Sequence, residues 1–168
     1  MPNTPIPVPS SAAIYGLAYR EATDTDLPVL EEIYASTRRA EVAATGWPPE
    51  QQQAFLKSQF EAQHQHYRDH YPDAAWLLIL RGSEVVGRLY LEDWTRELRI
   101  IDIALLPSAR GHGWGEAVLR DLMDATGATG RAVSIHVEKQ NPAMRLYRRL
   151  GFQTLEEKGV YDLMAWRP

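Results

Sequence analysis

Hydrophobic positions along this chain follow two periods, and the switches between them mark out the elements. Leu27, Leu30, Ile33 and Tyr34 are spaced as one face of a helix running to about Arg39. Ala22-Thr23-Asp24-Thr25-Asp26 offers several N-caps just before it. Trp47-Pro48-Pro49-Glu50 interrupts the chain and opens a second helix, striped by Leu56, Phe60, Tyr67 and Tyr71. Strands are predicted over Ile14 to Arg20, Ala75 to Arg81 and Val85 to Glu92, the last two joined by Gly82-Ser83-Glu84 as a hairpin turn. The β-branched-rich run Leu98 to Leu106 is a further strand, ended by Pro107. Val118, Leu119, Leu122 and Met123 then form the apolar face of a helix over Glu116 to Thr126, with Gly127 at C′. Ala132 to Glu138 is the next strand. In the helix Asn141 to Gly151, Asn141 is the N-cap, Pro142 takes N1 and Gly151 takes C′, with Ala143, Leu146, Tyr147 and Leu150 as its buried stripe. Phe152 to Glu156 and Val160 to Trp166 are the last two strands.

The order β-α-α-β-β-β-α-β-α-β-β, with hairpins ahead of the glycine-rich turn, argues against a doubly wound parallel sheet. It fits an α+β fold with a mixed, mostly antiparallel sheet and flanking helices. At 168 residues the chain suits one domain, residues 14–168, after an arm over residues 1–13. Proline is frequent at that start, which predicts an extended, disordered segment. The segment lacks the basic region and apolar core of a signal peptide. A net charge of −4 gives no reason to expect a nucleic-acid partner. No apolar run approaches the roughly 20 residues needed to span a bilayer. The absence of cysteine excludes disulfides, thiolate metal sites and a cysteine nucleophile, and fits a reducing cytoplasm.

The chemistry concentrates at Arg110-Gly111-His112-Gly113-Trp114-Gly115, between a strand and a helix N-terminus. Glycines allow positive φ and close approach, the first helical turn has N–H groups without internal partners, and the dipole there favours an anion. A P-loop consensus is absent. The dinucleotide fingerprint fails at Glu116, where its third glycine should stand, although Glu138 lies near the distance of a ribose-binding acid. His66 and His70, with His64 close by, have a spacing that could hold a metal. No third ligand is evident, so a solvated Gln-rich face is the simpler reading and no metal is assigned.

Arg110, Gly113 and Gly115 do satisfy Arg/Gln-x-x-Gly-x-Gly/Ala, and Asn141, Tyr147, Gly151 and Phe152 follow at the spacing of a second motif. In these two motifs the chain, from about Tyr15 onward, resembles the GNAT superfamily of N-acetyltransferases. The resemblance implies a GNAT fold with splayed central strands, acetyl-CoA as co-substrate and direct transfer to an amine in a ternary complex. It implies that pantetheine bonds to backbone around Leu105, with Asn141 adding a contact, and that the pyrophosphate lies on Arg110, Gly111, His112, Gly113, Trp114 and Gly115. His112 is then expected at the surface near the phosphates, and Trp114 in packing or beside the adenine. Tyr147 is the implied proton donor to the CoA thiolate. His136 stands where some relatives carry a glutamate base, with Asp102, Glu92 and Glu97 as rivals. Trp47, Tyr67, Trp94 and Tyr161 are candidates to line the acceptor pocket. The acceptor is a small-molecule amine or a peptide, and a homodimer stays open. The alternatives are a non-catalytic CoA-binding domain of the same fold and a nicotinamide-dependent oxidoreductase.

Overall fold

The computed structural model describes residues 4–168. Seven strands form one sheet in the order β1-β2-β3-β4-β5-β7-β6. They are β1 (Leu17–Glu21), β2 (Ala75–Arg81), β3 (Glu84–Asp93), β4 (Glu97–Leu105), β5 (Ala132–Glu138), β6 (Gln153–Lys158) and β7 (Tyr161–Trp166). Helices α1 (Leu27–Ala43) and α2 (Pro49–His70) cover one face; α3 (Trp114–Gly127) and α4 (Met144–Arg149) pack on the other. Every pair is antiparallel except β4 with β5. The mixed α+β architecture is as the hydrophobic pattern predicts. Among the described residues no helix is long and apolar enough to cross a membrane.

Strand alternation sorts the side chains into two cores. Leu77, Ile79, Leu89, Leu91, Ile100, Val133, Ile135 and Met164 meet Val118, Leu119 and Leu122 of α3 and Tyr147 of α4. Leu78 and Tyr90 turn the other way, onto Leu30, Ile33 and Tyr34 of α1 and Phe60 of α2.

Three local readings are corrected. The first strand starts later than Ile14, because Ala12–Tyr15 forms a 3-10 turn closed by Gly16 at φ +73°. Gly127 is the last residue of α3 rather than its left-handed cap; that conformation falls to Gly130, at φ +70°. Gly127 is small for a different reason, since a Cβ there would lie 3.3 Å from the Trp166 ring. Regular α4 begins at Met144, after a turn in which Asn141 Oδ1 accepts the Ala143 N–H at 2.8 Å. Gly151, at φ +98°, closes that helix as predicted.

Residues 1–3 of the expected N-terminal arm lie outside the described residues. From Thr4 onward the segment has little regular structure, but its polar groups find fixed partners. The Thr4 hydroxyl donates to the Asp73 carbonyl at 2.8 Å and accepts the Asp93 N–H at 2.9 Å. The backbone N–H groups of Ser10 and Ala12 both donate to Asp121 of α3. Asp121 is buried and also accepts the Tyr19 hydroxyl at 2.7 Å. A carboxylate sunk into a core needs such donors, and here the N-terminal segment supplies them.

Candidate active site

The site begins where the sheet fails to close. β4 and β5 pair over four rungs only, from Glu97 with Ala132 to Ile100 with Ile135. In the β3–β4 ladder Leu91 faces Ile100 while Tyr90 faces Asp102, so Ile101 is an inserted residue on β4. Such a bulge bends its strand and increases local twist, and it falls at the rung where β4 parts from β5. Beyond it, Asp102 to Leu105 on one side and His136 to Glu138 on the other flank an open gap.

The ladder shows which backbone groups face that gap. Leu106 donates its N–H to the Val86 carbonyl of β3 at 2.9 Å. Because N–H and C=O groups alternate sides along a strand, those of Ile103 and Leu105 point away from β3, toward β5. Close β3–β4 contact here depends on Gly87, where a Cβ would fall 2.4 Å from the Ala104 carbonyl and 2.8 Å from the Leu105 side chain. No sequence motif singles out Gly87 or Ile103. Only the pairing register shows their part.

The glycine turn follows directly. Gly111 and Gly113 sit at φ +79° and +80°, and Gly113 is the N-cap of α3. The next N–H groups, from Trp114 onward, lack helical partners. Arg110 is less free than its place in the motif suggests: its Nε donates to the Leu105 carbonyl at 3.0 Å, strapping the turn to the end of β4. The His112 Nε2–H donates to the Ser108 carbonyl at 3.2 Å, and its ring stacks on Trp114 at 4.8 Å. Gly115 leaves only ordinary contact distance, 3.7 Å, to Leu105.

Tyr147 and His136, the two residues expected to carry proton transfer, lie on opposite faces. Tyr147 is buried in the α3–α4 core, edge-on to Phe152 at 5.4 Å. Burial drives its phenol pKa upward, and the negative charge of Asp102 adds to the shift. His136 alternates away from Ile135 and Val137 and is exposed. Its Nδ1 lies 3.2 Å from an Arg99 nitrogen. Arginine has no acceptor atom, so Nδ1 must accept and neutral His136 carries its proton on Nε2. Burial first and the Arg99 charge second also lower its pKa.

The rival carboxylates separate along β3 and β4. Glu92 faces Arg99 in the register, and Glu97 accepts from the Ser134 hydroxyl; both stand on the closed part of the sheet. Asp102 alone of the three lies past the branch. It is held by the buried Arg88, which also donates to Gln63 at 2.9 Å and stacks over Tyr90 at 4.9 Å. Tyr67 lies edge-on to Tyr90 at 6.0 Å, its phenol pushed up by burial and then by Asp102. Across the gap Glu138 pairs with Arg38 of α1 at 3.1 Å and accepts from the Tyr161 hydroxyl at 3.5 Å. Glu138 is thus committed to Arg38, which removes the one residue that favoured a dinucleotide reading. Trp94 stacks under Arg99 at 4.5 Å, and Trp47 packs against Phe55 in a small α1–α2 cluster. His64 accepts from Arg68 at 3.1 Å and the His66 and His70 rings stack at 4.1 Å, on exposed turns of α2.

A relative, the mycothiol acetyltransferase of Corynebacterium glutamicum (strain R), is 37% identical over 99 residues, which cover 56% of this chain and 33% of that protein. The match thus spans one third of the relative's length. The PaiA N-acetyltransferase of Thermoplasma acidophilum, solved with coenzyme A, superposes with a TM-score of 0.67 at 16% identity, over 90% of this chain and 99% of that one. The spermidine N-acetyltransferase of Vibrio cholerae, solved with CoA and spermine, gives 0.62 at 16% identity, over 90% and 95%. At such identities these two structures establish the fold. The model of the Acetyltransferase (GNAT) family matches residues 30–152, well over half of the sequence, and so the chain belongs to that family.

Proposed function

We propose that this protein transfers an acetyl group from acetyl-CoA to a primary amine by direct attack within a ternary complex. The observation that carries the reading is the open β4–β5 gap, where the backbone groups of Ile103 and the N–H of Leu105 face away from β3 and lead straight to the glycine turn. The pantetheine amides would pair with Leu105 and the Asn141 side chain. The pyrophosphate would rest on the first N–H groups of α3. The Ile103 N–H would then bond the thioester carbonyl and stabilise the oxyanion of the tetrahedral intermediate.

The attacking amine must be neutral, and at pKa near 10 only about one in a thousand is so at pH 7. Once bonded to carbon, the nitrogen is far more acidic, and a carboxylate suffices as acceptor. In this reading Asp102, past the branch and half-buried, takes that role. The C–S bond then breaks, and Tyr147 protonates the departing thiolate. Burial and the charge of Asp102 raise the Tyr147 pKa, so the phenol stays protonated and able to donate. His136, with its acceptor nitrogen engaged by Arg99, is not assigned as base. The His136→Ala variant is expected to keep the pH–rate profile of the parent; loss of an acid limb below pH 6.5 would restore it as base.

The first experiment is calorimetric titration with acetyl-CoA, with NADH and NADPH as controls. Micromolar affinity for acetyl-CoA alone, about −8 kcal/mol, is expected, followed by thiol release with amines. Polyamines are one group to include, since a similar structure is a spermidine N-acetyltransferase. Absence of acetyl-CoA binding would end the assignment. The Gly113→Val variant is expected to weaken cofactor binding at least tenfold. A β-branched residue resists φ +80°, and its Cβ would meet the Tyr15 hydroxyl at 3.3 Å. Unchanged affinity would move the phosphates off this turn. The lack of cysteine supports a reducing, cytoplasmic setting.

A further inference from the structure

The stretch Arg110 to Gly115 alternates glycine with larger residues, and Gly111 and Gly113 hold positive φ. Such a stretch has a wide choice of backbone states, so a fixed shape there needs restraint from outside. On the β4 side the restraint is local, from Arg110 to the Leu105 carbonyl and from His112 to the Ser108 carbonyl. On the other side it comes from the N-terminal segment. The Tyr15 hydroxyl lies 3.3 Å from where a Gly113 Cβ would stand. Arg81 adds a second tie: its Nε donates to the Tyr15 carbonyl at 3.3 Å, and its guanidinium stacks over Trp114 at 5.2 Å.

Tyr15 belongs to the 3-10 turn Ala12–Tyr15, ahead of the segment matched by the family model. That turn has its own anchor on α3. Asp121, about two helical turns beyond Trp114, is buried. One of its oxygens accepts the Ser10 N–H at 3.1 Å and the Ala12 N–H at 3.4 Å; the other accepts the Tyr19 hydroxyl at 2.7 Å. Ala12 is fully buried, and Gly16 then turns the chain into β1, where Leu17 pairs with Arg81. The contacts make a closed circuit: along α3 to Asp121, across to Ser10 and Ala12, and back through Tyr15 to Gly113. A buried carboxylate is costly without its donors, so the segment cannot lift off without orphaning Asp121.

We infer that Asp121 is a positioning residue: through the N-terminal segment and Tyr15 it holds the glycine turn in its binding shape. The inference rests on the cofactor reading above. A turn restrained in advance loses less freedom when a ligand arrives. Conversely, apparent affinity falls with the fraction of molecules that hold the competent shape. The segment thus acts on cofactor affinity from the far side of the turn, with the reacting groups at the β4–β5 branch left as they are.

The test sets acetyl-CoA titration, steady-state rates and amide exchange side by side on the parent and its variants. Tyr15→Ala is the decisive variant, since Tyr15 is 42% exposed and its removal leaves the core intact. Its denaturation midpoint is expected to match the parent's. Its acetyl-CoA affinity should fall about five- to tenfold, with KM for acetyl-CoA rising in step and kcat at saturating cofactor kept. Exchange over residues 111–115 should quicken in the unliganded variant. Asp121→Ala is expected to lower both stability and affinity. Asp121→Asn should keep parental affinity, because its amide oxygen still accepts the two backbone N–H groups. On the Tyr15→Ala background, Asp121→Ala should cost less than about twofold more, as expected of residues acting in series. Parental affinity or parental exchange in Tyr15→Ala, or fully additive losses in the double variant, would overturn the inference and leave the cofactor reading standing. If the parent does not bind acetyl-CoA, the cofactor reading fails and this inference fails with it.

Discussion

Replacing Tyr147 by phenylalanine is expected to lower turnover by about 10²- to 10⁴-fold, the usual worth of a positioned acid, with acetyl-CoA affinity almost unchanged. The ring stays, so its contact with Phe152 and its place in the α3–α4 core are preserved. Only the hydroxyl is lost, and with it, on the proposed mechanism, the proton for the thiolate. Since the phenol pKa is driven up by burial and by Asp102, it stays protonated across the working pH range, and no alkaline limb from Tyr147 should appear. Turnover should instead climb with pH through neutrality as the free-amine fraction grows. Stopped-flow thiol release beside calorimetric binding separates the two effects. Equal loss of binding and turnover would make Tyr147 a packing residue and nothing more.

Arg88→Met is the second substitution with a large expected effect, of a different kind. Arg88 is almost wholly buried and bonded to Asp102 and Gln63. Removing one member of such a pair leaves an uncompensated charge and costs about 3–5 kcal/mol in fully buried cases. Asp102 retains some exposure, 18% of its side chain, so the lower end of that range is expected. The paired change Arg88→Met with Asp102→Leu removes both charges and should recover most of the stability. On the proposed mechanism it should not recover turnover, since the carboxylate assigned to accept the amine proton is gone. Chemical denaturation and steady-state rates on the two variants distinguish a structural pair from a working one. Recovery of both stability and rate in the double variant would exclude Asp102 from proton transfer.

Much of this fold is legible in the sequence because its signals are local. β2 and β5 fall on their predicted boundaries, Ala75–Arg81 and Ala132–Glu138, since apolar runs there are bounded by turn residues. The glycine turn and the closing Gly151 are likewise written in short stretches. The site is less legible where it depends on register. That Ile101 is an inserted residue, and that Ile103 therefore turns its backbone into the gap, follows from a partner strand and has no local mark. His136 shows the same limit. Its place on β5 is readable, but the hydrogen bond that occupies its Nδ1 comes from Arg99, thirty-seven residues away. Asp121 reads as an ordinary polar residue of α3, yet it organises the N-terminal segment because two backbone donors and Tyr19 converge on it.

The short ladder between β4 and β5 also bears on how the domain comes apart. Four rungs and the packing of α3 and α4 join a four-stranded half, β1 to β4, to a three-stranded half, β5 to β7. A sheet joined so narrowly has a preferred line of sub-global opening, and amide exchange at the end of β5 should report it before the centre of the sheet does. A ligand lying in the gap supplies backbone partners to both halves at once. It would serve as the sheet's missing rung, so that occupancy and mechanical integrity of the fold rise together.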